Sequence, residues 1–156
     1  MAEDNSNHSA VVVGVGASAG LGAALCRRFA KGGLHVFVAG RTQEKIDLIV
    51  AEIQANGGAA TAHLCDTTDE DQVIALFDAA EGHGDGVILA AYNAGNNSRM
   101  PILEMTASWF EKTWRLACFG GFLCGREAAR RLVPRGRGSL FFTGATASIR
   151  GKPPFT

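Results

Sequence analysis

Three closely spaced glycines and a serine lie early in the chain, in Val15-Gly16-Ala17-Ser18-Ala19-Gly20-Leu21-Gly22. The β-branched run Val11-Val12-Val13 feeds this turn, and Ala23 to Ala30 follows it with a composition that favours a helix. A helix starting there points unpaired backbone N–H groups, and the positive end of its dipole, at whatever lies over the turn. A side chain at Gly16, Gly20 or Gly22 would block a pyrophosphate from the backbone or hold the helix off the strand. The expected chemistry is binding of a dinucleotide, with Gly16, Ser18, Gly20, Leu21 and Gly22 as its binding residues.

A second test lies at the end of the next strand. An NAD site places an acidic residue there, about twenty residues past the turn, to bind the ribose 2′-hydroxyl. This chain has Gly40-Arg41-Thr42 instead. No carboxylate repels a 2′-phosphate, and the Arg41 guanidinium can pair with one bidentately. NADP is therefore expected over NAD, with Arg41 and Thr42 in the site. The same absence counts against a methyltransferase-like nucleoside site, which also needs an acidic residue to hold a ribose.

These groups need a scaffold, and the chain alternates strand and helix throughout. Strands are expected at Ala10 to Val15, Leu34 to Ala39, Ala59 to Leu64, Val87 to Tyr92 and Ser139 to Thr143. Helices are expected from about Gly20 to Lys31, from a cap at Thr42 to Asn56, and from a cap at Thr68 or Asp69 to about Gly82. A long one should run from Thr106 to Leu132, offering Phe110, Trp114, Leu116, Ala117, Phe119, Leu123 and Ala128 for burial and stopping at Pro134 to Gly138. Gly120-Gly121 within it reads as a place of close packing. The fold class is α/β, a doubly wound, Rossmann-like parallel sheet of about five strands with helices on both faces. Residues 1–8 are expected to be a disordered lead-in and 9–156 a dinucleotide-binding domain, incomplete at its C-terminal edge.

Composition bounds the alternatives. The chain has 156 residues, 47% hydrophobic and 19% charged, with formal net charge zero, so nothing draws it to nucleic acid or an anionic membrane. The arginines from Arg126 to Arg137 read as a solvated helix face. Cys26, Cys65, Cys118 and Cys124 lack the paired spacing of a metal or redox site and read as four reduced core thiols. His35 and His83 are given no role. The polar start is not a signal peptide and no apolar run approaches a membrane span, so a cytoplasmic protein is expected.

Together these motifs resemble the N-terminal, cofactor-binding part of the short-chain dehydrogenase/reductase family. Val15 to Gly22 matches the family's Thr-Gly-x-x-x-Gly-x-Gly, with valine in place of threonine. Asp66, in Cys65-Asp66-Thr67-Thr68, falls where the family's aspartate holds the adenine amino group, and Thr67 joins it in the site. Asn93, Ala94 and Gly95 match the Asn-Ala-Gly that steadies the central sheet beside the cofactor, although Tyr92 replaces the asparagine often found before it. Trp109 to Gly125 resembles the long helix that follows.

The resemblance implies hydride transfer between a carbonyl or alcohol and the nicotinamide, using a tyrosine, a lysine, a serine and an asparagine. Here the asparagine position is Ala117, and the serine position falls at or beside Ala145, with Thr143, Thr146 and Ser148 as nearby hydroxyls. The Tyr-x-x-x-Lys pair would lie shortly beyond Thr156, and the sole tyrosine is Tyr92. The expectation is an NADP(H)-binding part of such an oxidoreductase without turnover of its own. The alternative is a non-catalytic dinucleotide-binding or interaction module. Self-association through the long helix or an exposed sheet edge is expected of the chain alone.

Overall fold

The computed structural model describes residues 7–95 and 100–150. Five parallel strands form one sheet in the order β3-β2-β1-β4-β5: β1 Ser9–Val13, β2 His35–Gly40, β3 Ala59–Leu64, β4 Val87–Tyr92 and β5 Ser139–Phe142. The chain winds outward from β1 through β2 to β3, then returns to place β4 on the other side of β1. That reversal opens a crevice at the carboxyl ends of β1 and β4. Valines and alanines buried on both faces of the central strands suit them to a parallel sheet covered on two sides.

Helices α1 (Leu21–Lys31) and α2 (Gln43–Ala55) cover one face. There Cys26, Ile46, Ile49 and Ile53 pack on Val12, Val36 and Val38. Helix α3 (Glu70–Glu81) and the long helical region cover the other, where Leu76, Phe77 and Leu123 pack on Val11, Val13 and Phe37. Residues 1–6 of the expected lead-in lie outside the described residues. Asn7 and His8 are tied to the sheet, the Asn7 carbonyl accepting from Asp85 N–H and the His8 carbonyl from His35 N–H.

The long helix departs from expectation. It divides into α4 (Ala107–Trp114), a π turn (Arg115–Phe119) and α5 (Gly120–Arg135). Only Leu123 and Ala128 of the seven residues offered for burial are buried; Phe110 and Trp114 are exposed, because no described element packs over that face. Pro134 does not stop α5. Helix geometry runs through it to Arg135 and ends where Gly136 adopts φ 64°, a left-handed position that favours glycine.

The arginines are also not a solvated face. Glu127, fully buried on α5, accepts from Arg126, Arg130 and Arg131 at 3.1, 2.7 and 3.0 Å. Arg126, Arg131 and Arg135 then pair with Glu70, Asp78 and Glu81 of α3. Burial pushes the Glu127 carboxyl up, but the Arg131 and Arg126 hydrogen bonds outweigh it and hold its pKa below the usual range. The cluster clamps α5 to α3. Cys26, Cys65 and Cys124 are buried as expected; Cys118 is not, because the π turn presents it outward.

Candidate functional site: a cleft at the carboxyl ends of the central strands

The floor of the crevice is backbone on backbone. Gly14, with φ 84°, follows β1 so closely under Ala94 that a Cβ on it would overlap the Ala94 amide. Asn93 N–H bonds the Val13 carbonyl at 2.9 Å, and Asn93 Nδ2 donates to the Gly14 carbonyl at 3.3 Å. Asn93 therefore fastens the ends of β1 and β4 together. Gly40 is just as tight, since a Cβ there would strike the Val15 carbonyl. Neither Gly14 nor Gly40 stood among the expected binding residues, because their need is steric and set by a neighbour distant in sequence.

Two adjoining cavities open over this floor. The inner one, about 210 Å³, is lined by Gly14, Gly16, Thr67, Asn93, Ala94 and Gly95, with Arg41, Thr42 and Lys45 along one side. The outer one, about 510 Å³, is lined by Asp66, Thr68 and the α4 side chains Trp109 and Lys112, with Arg115 beyond them. Arg41, Gly95 and Leu116 line both. The fold thus gathers eight expected residues, Gly16, Arg41, Thr42, Asp66, Thr67, Asn93, Ala94 and Gly95, from four separate stretches of chain.

The remaining four stand around the turn rather than in the cleft lining. Gly22 packs α1 on the sheet, a Cβ there lying 3.0 Å from Asn93 Nδ2 and 3.1 Å from the Gly14 carbonyl. Gly20 caps α1 and faces the Ala17 carbonyl. The Leu21 side chain is exposed. Ser18 is already engaged: Arg27 donates to its carbonyl at 3.0 Å and its hydroxyl at 2.6 Å while pairing with Glu52 of α2.

What the lining offers is donors. No side chain caps α1, so its first-turn N–H groups are left for a ligand, and Gly16 has open space where a side chain would stand. Thr42 occupies the α2 N-cap without making the expected capping bond, which leaves its hydroxyl at the cleft beside Arg41 and Lys45. Lys45, one helical turn on, lines the cleft as a second cation that was not among the expected binding residues; its spacing from Arg41 was the available signal. Asp66 spends Oδ1 on Thr68 N–H and Oγ1, both at 2.9 Å. Asp69 caps α3 by accepting from Gln72 N–H at 3.1 Å.

The catalytic side of the pattern is bare. Ala117 is an exposed methyl on the π turn, and Ala145 carries no hydroxyl. Ser148 turns back to donate to the Ala145 carbonyl at 2.7 Å. Tyr92 is buried, and its hydroxyl donates to the Leu116 carbonyl; burial pushes its pKa up to about 12, which keeps it protonated. No group of His, Cys, Asp and Glu among the described residues is arranged to hold a metal ion. No helix among them is long and apolar enough to cross a membrane.

A family model described as short chain dehydrogenase matches residues 10–156. Gluconate 5-dehydrogenase of Gluconobacter oxydans is 30% identical over 144 residues, covering 90% of this chain and 56% of its own length. Versicolorin reductase stcU of Emericella nidulans is 32% identical over 144 residues, covering 92% and 54%. A crystal structure of a short-chain dehydrogenase from Rhodopseudomonas palustris is similar at TM-score 0.87 and 42% identity, over 96% of this chain and 69% of that one. The chain spans about half the length of the curated relatives it matches.

Proposed function

Because the chain belongs to the short-chain dehydrogenase family, we propose that its cleft binds NADP(H) and that the chain by itself does so without turnover. The observation that carries the cofactor choice is the cationic side of the inner cavity, where Arg41 and Lys45 stand with the free Thr42 hydroxyl and no carboxylate. A 2′-phosphate suits that set, and a ribose 2′-hydroxyl alone would leave two cations unanswered. The uncapped α1 terminus and open Gly16 suit the pyrophosphate, and Asp66 with Thr67 suits the adenine. Ser18 would act only if its hydroxyl were released from Arg27, and Leu21 would contribute its backbone.

Bound there, the cofactor would supply a hydride for a carbonyl or accept one from an alcohol. This chain's own residues would bind and orient it, while Ala117 and Ala145 can move no proton. Calorimetric titration with NADPH and NADH tests the binding, and NADPH oxidation over a panel of carbonyl compounds tests turnover. The expected result is tighter binding of NADPH and no steady oxidation. Absence of NADPH binding at millimolar ligand overturns the reading. The alanines at 117 and 145 also favour a second reading, a binding or interaction module derived from the family. Steady turnover would exclude that second reading.

A further inference from the structure

Behind the cleft, one hydroxyl joins three elements. The π turn breaks the regular helical ladder, because Gly120 N–H bonds the Arg115 carbonyl, five residues back, and not that of Leu116, four back. The Leu116 carbonyl has lost its α-helical donor, and the Tyr92 hydroxyl donates to it from the end of β4. Thr67 Oγ1, at the start of the loop after β3, lies 3.4 Å from the same hydroxyl. The Tyr92 ring is held from its other side by Phe142 of β5, with ring centroids 6.2 Å apart. The hydroxyl sits in space that only glycine leaves, since a Cβ on Gly120 would be 2.6 Å from it and 2.9 Å from Thr67 Oγ1. Leu116, the residue so held, lines both halves of the cleft.

We propose that Tyr92 is a positioning residue for the nucleotide cleft, its hydroxyl holding the π turn so that Leu116 stands as the wall shared by both cavities. The proposal rests on the nucleotide reading above. Tyr92 touches no reacting atom; it acts through Leu116. The packing of Gly120 against it explains why a helix interior accepts glycine there despite its poor helix propensity.

The test compares Tyr92→Phe, Gly120→Ala and the double variant, each in the full chain. NADPH affinity is read by calorimetry, and amide hydrogen exchange over Arg115 to Gly121 is read without ligand. Tyr92→Phe keeps the ring and is expected to weaken NADPH about three- to tenfold, the scale of one neutral hydrogen bond. Exchange over Arg115 to Gly121 should quicken while the sheet strands stay as protected as before. Gly120→Ala should produce the same two changes in the native background and cost less when added to Tyr92→Phe, because removing the hydroxyl relieves the 2.6 Å contact while those with Thr67 Oγ1 at 2.9 Å and the Thr67 carbonyl at 3.0 Å remain. Unchanged affinity in Tyr92→Phe, quickening spread evenly over the sheet, or additive losses in the double variant each overturn the proposal. If the native chain binds no NADPH, the nucleotide reading fails, and with it the role in the cleft. Exchange then still shows whether the hydroxyl holds the turn.

Discussion

Among single residues, the cofactor preference proposed for the cleft rests on a few charges placed by backbone geometry. Arg41 leaves β2 immediately after Gly40, whose lack of a side chain lets the strand end press against Val15. Arg41→Ala is expected to weaken NADPH about 10–100-fold, the worth of charge-assisted hydrogen bonds to a phosphate, and NADH by less than about threefold. Calorimetry with the two cofactors checks this, and equal losses would place Arg41 outside the 2′-phosphate site. The cysteines separate in the same residue-by-residue way. Burial pushes the Cys26 thiol up to about 12 and Cys65 to about 11, and it raises Cys124 as well. Cys118 alone is exposed. Iodoacetamide should therefore label Cys118 in the native chain and the other three only after unfolding, as read by mass spectrometry.

At the scale of elements, two contacts carry testable energy. The Glu127 cluster fastens α5 to α3, and α5 continues the π turn that walls the cleft. Glu127→Gln would leave guanidinium groups facing a neutral amide. Because Arg130 is 59% exposed and can turn to water, the loss is expected near the low end for a broken buried pair, about 2–3 kcal/mol in denaturant unfolding. On the sheet, His35 of β2 hydrogen-bonds with Thr61 Oγ1 at 2.8 Å and lies against His83, the ring centroids 3.9 Å apart and the planes tilted by 38°. Burial, and then the neighbouring His83, lowers the His35 pKa; burial lowers that of His63 on β3. Their depressed folded values mean that the unfolded chain takes up protons first as pH falls. Their contribution is whole above the unfolded value of about 6.5 and fades as pH drops toward the folded ones. Melting temperature should therefore decline between pH 7 and 5, and replacing both histidines with glutamine should flatten that decline.

For the whole molecule, the apolar side left open among the described residues is expected to govern behaviour in solution. Strand β5 is one of the two edges of the sheet among the described residues, with Phe141 and Phe142 more than half exposed, and Phe110, Trp114 and Phe122 are exposed along the long helix. An apolar edge strand beside an apolar helix face invites association. The chain alone is expected to bind ANS or to sediment above monomer mass. Phe141→Lys should reduce both while moving the melting temperature by less than about 3 °C, because little native burial is lost. A native chain that stays monomeric and dark with ANS would remove the basis for self-association.

Much of this was legible in the residues alone. β3 and β4 were placed to the residue, because glycine stands just before each run and polar turn residues, Asp66 and Asn93, follow close behind. The α/β class followed from alternation, and the cleft's location from glycines between a strand and a helix. Sequence could likewise show which side chains are absent, such as a carboxylate after β2 or a hydroxyl at Ala145. Local pattern could not show what depends on neighbours far along the chain. Only the tertiary structure decided that Gly14 and Gly40 are required for close approach, that Ser18 is held by Arg27, and that the arginines answer a buried Glu127. It alone broke the long helix at Arg115 to Phe119, where the Tyr92 hydroxyl bonds a carbonyl 24 residues away. Helical periodicity reports one face of one element; the partner that satisfies a freed carbonyl, or covers a face, is fixed only when the elements meet.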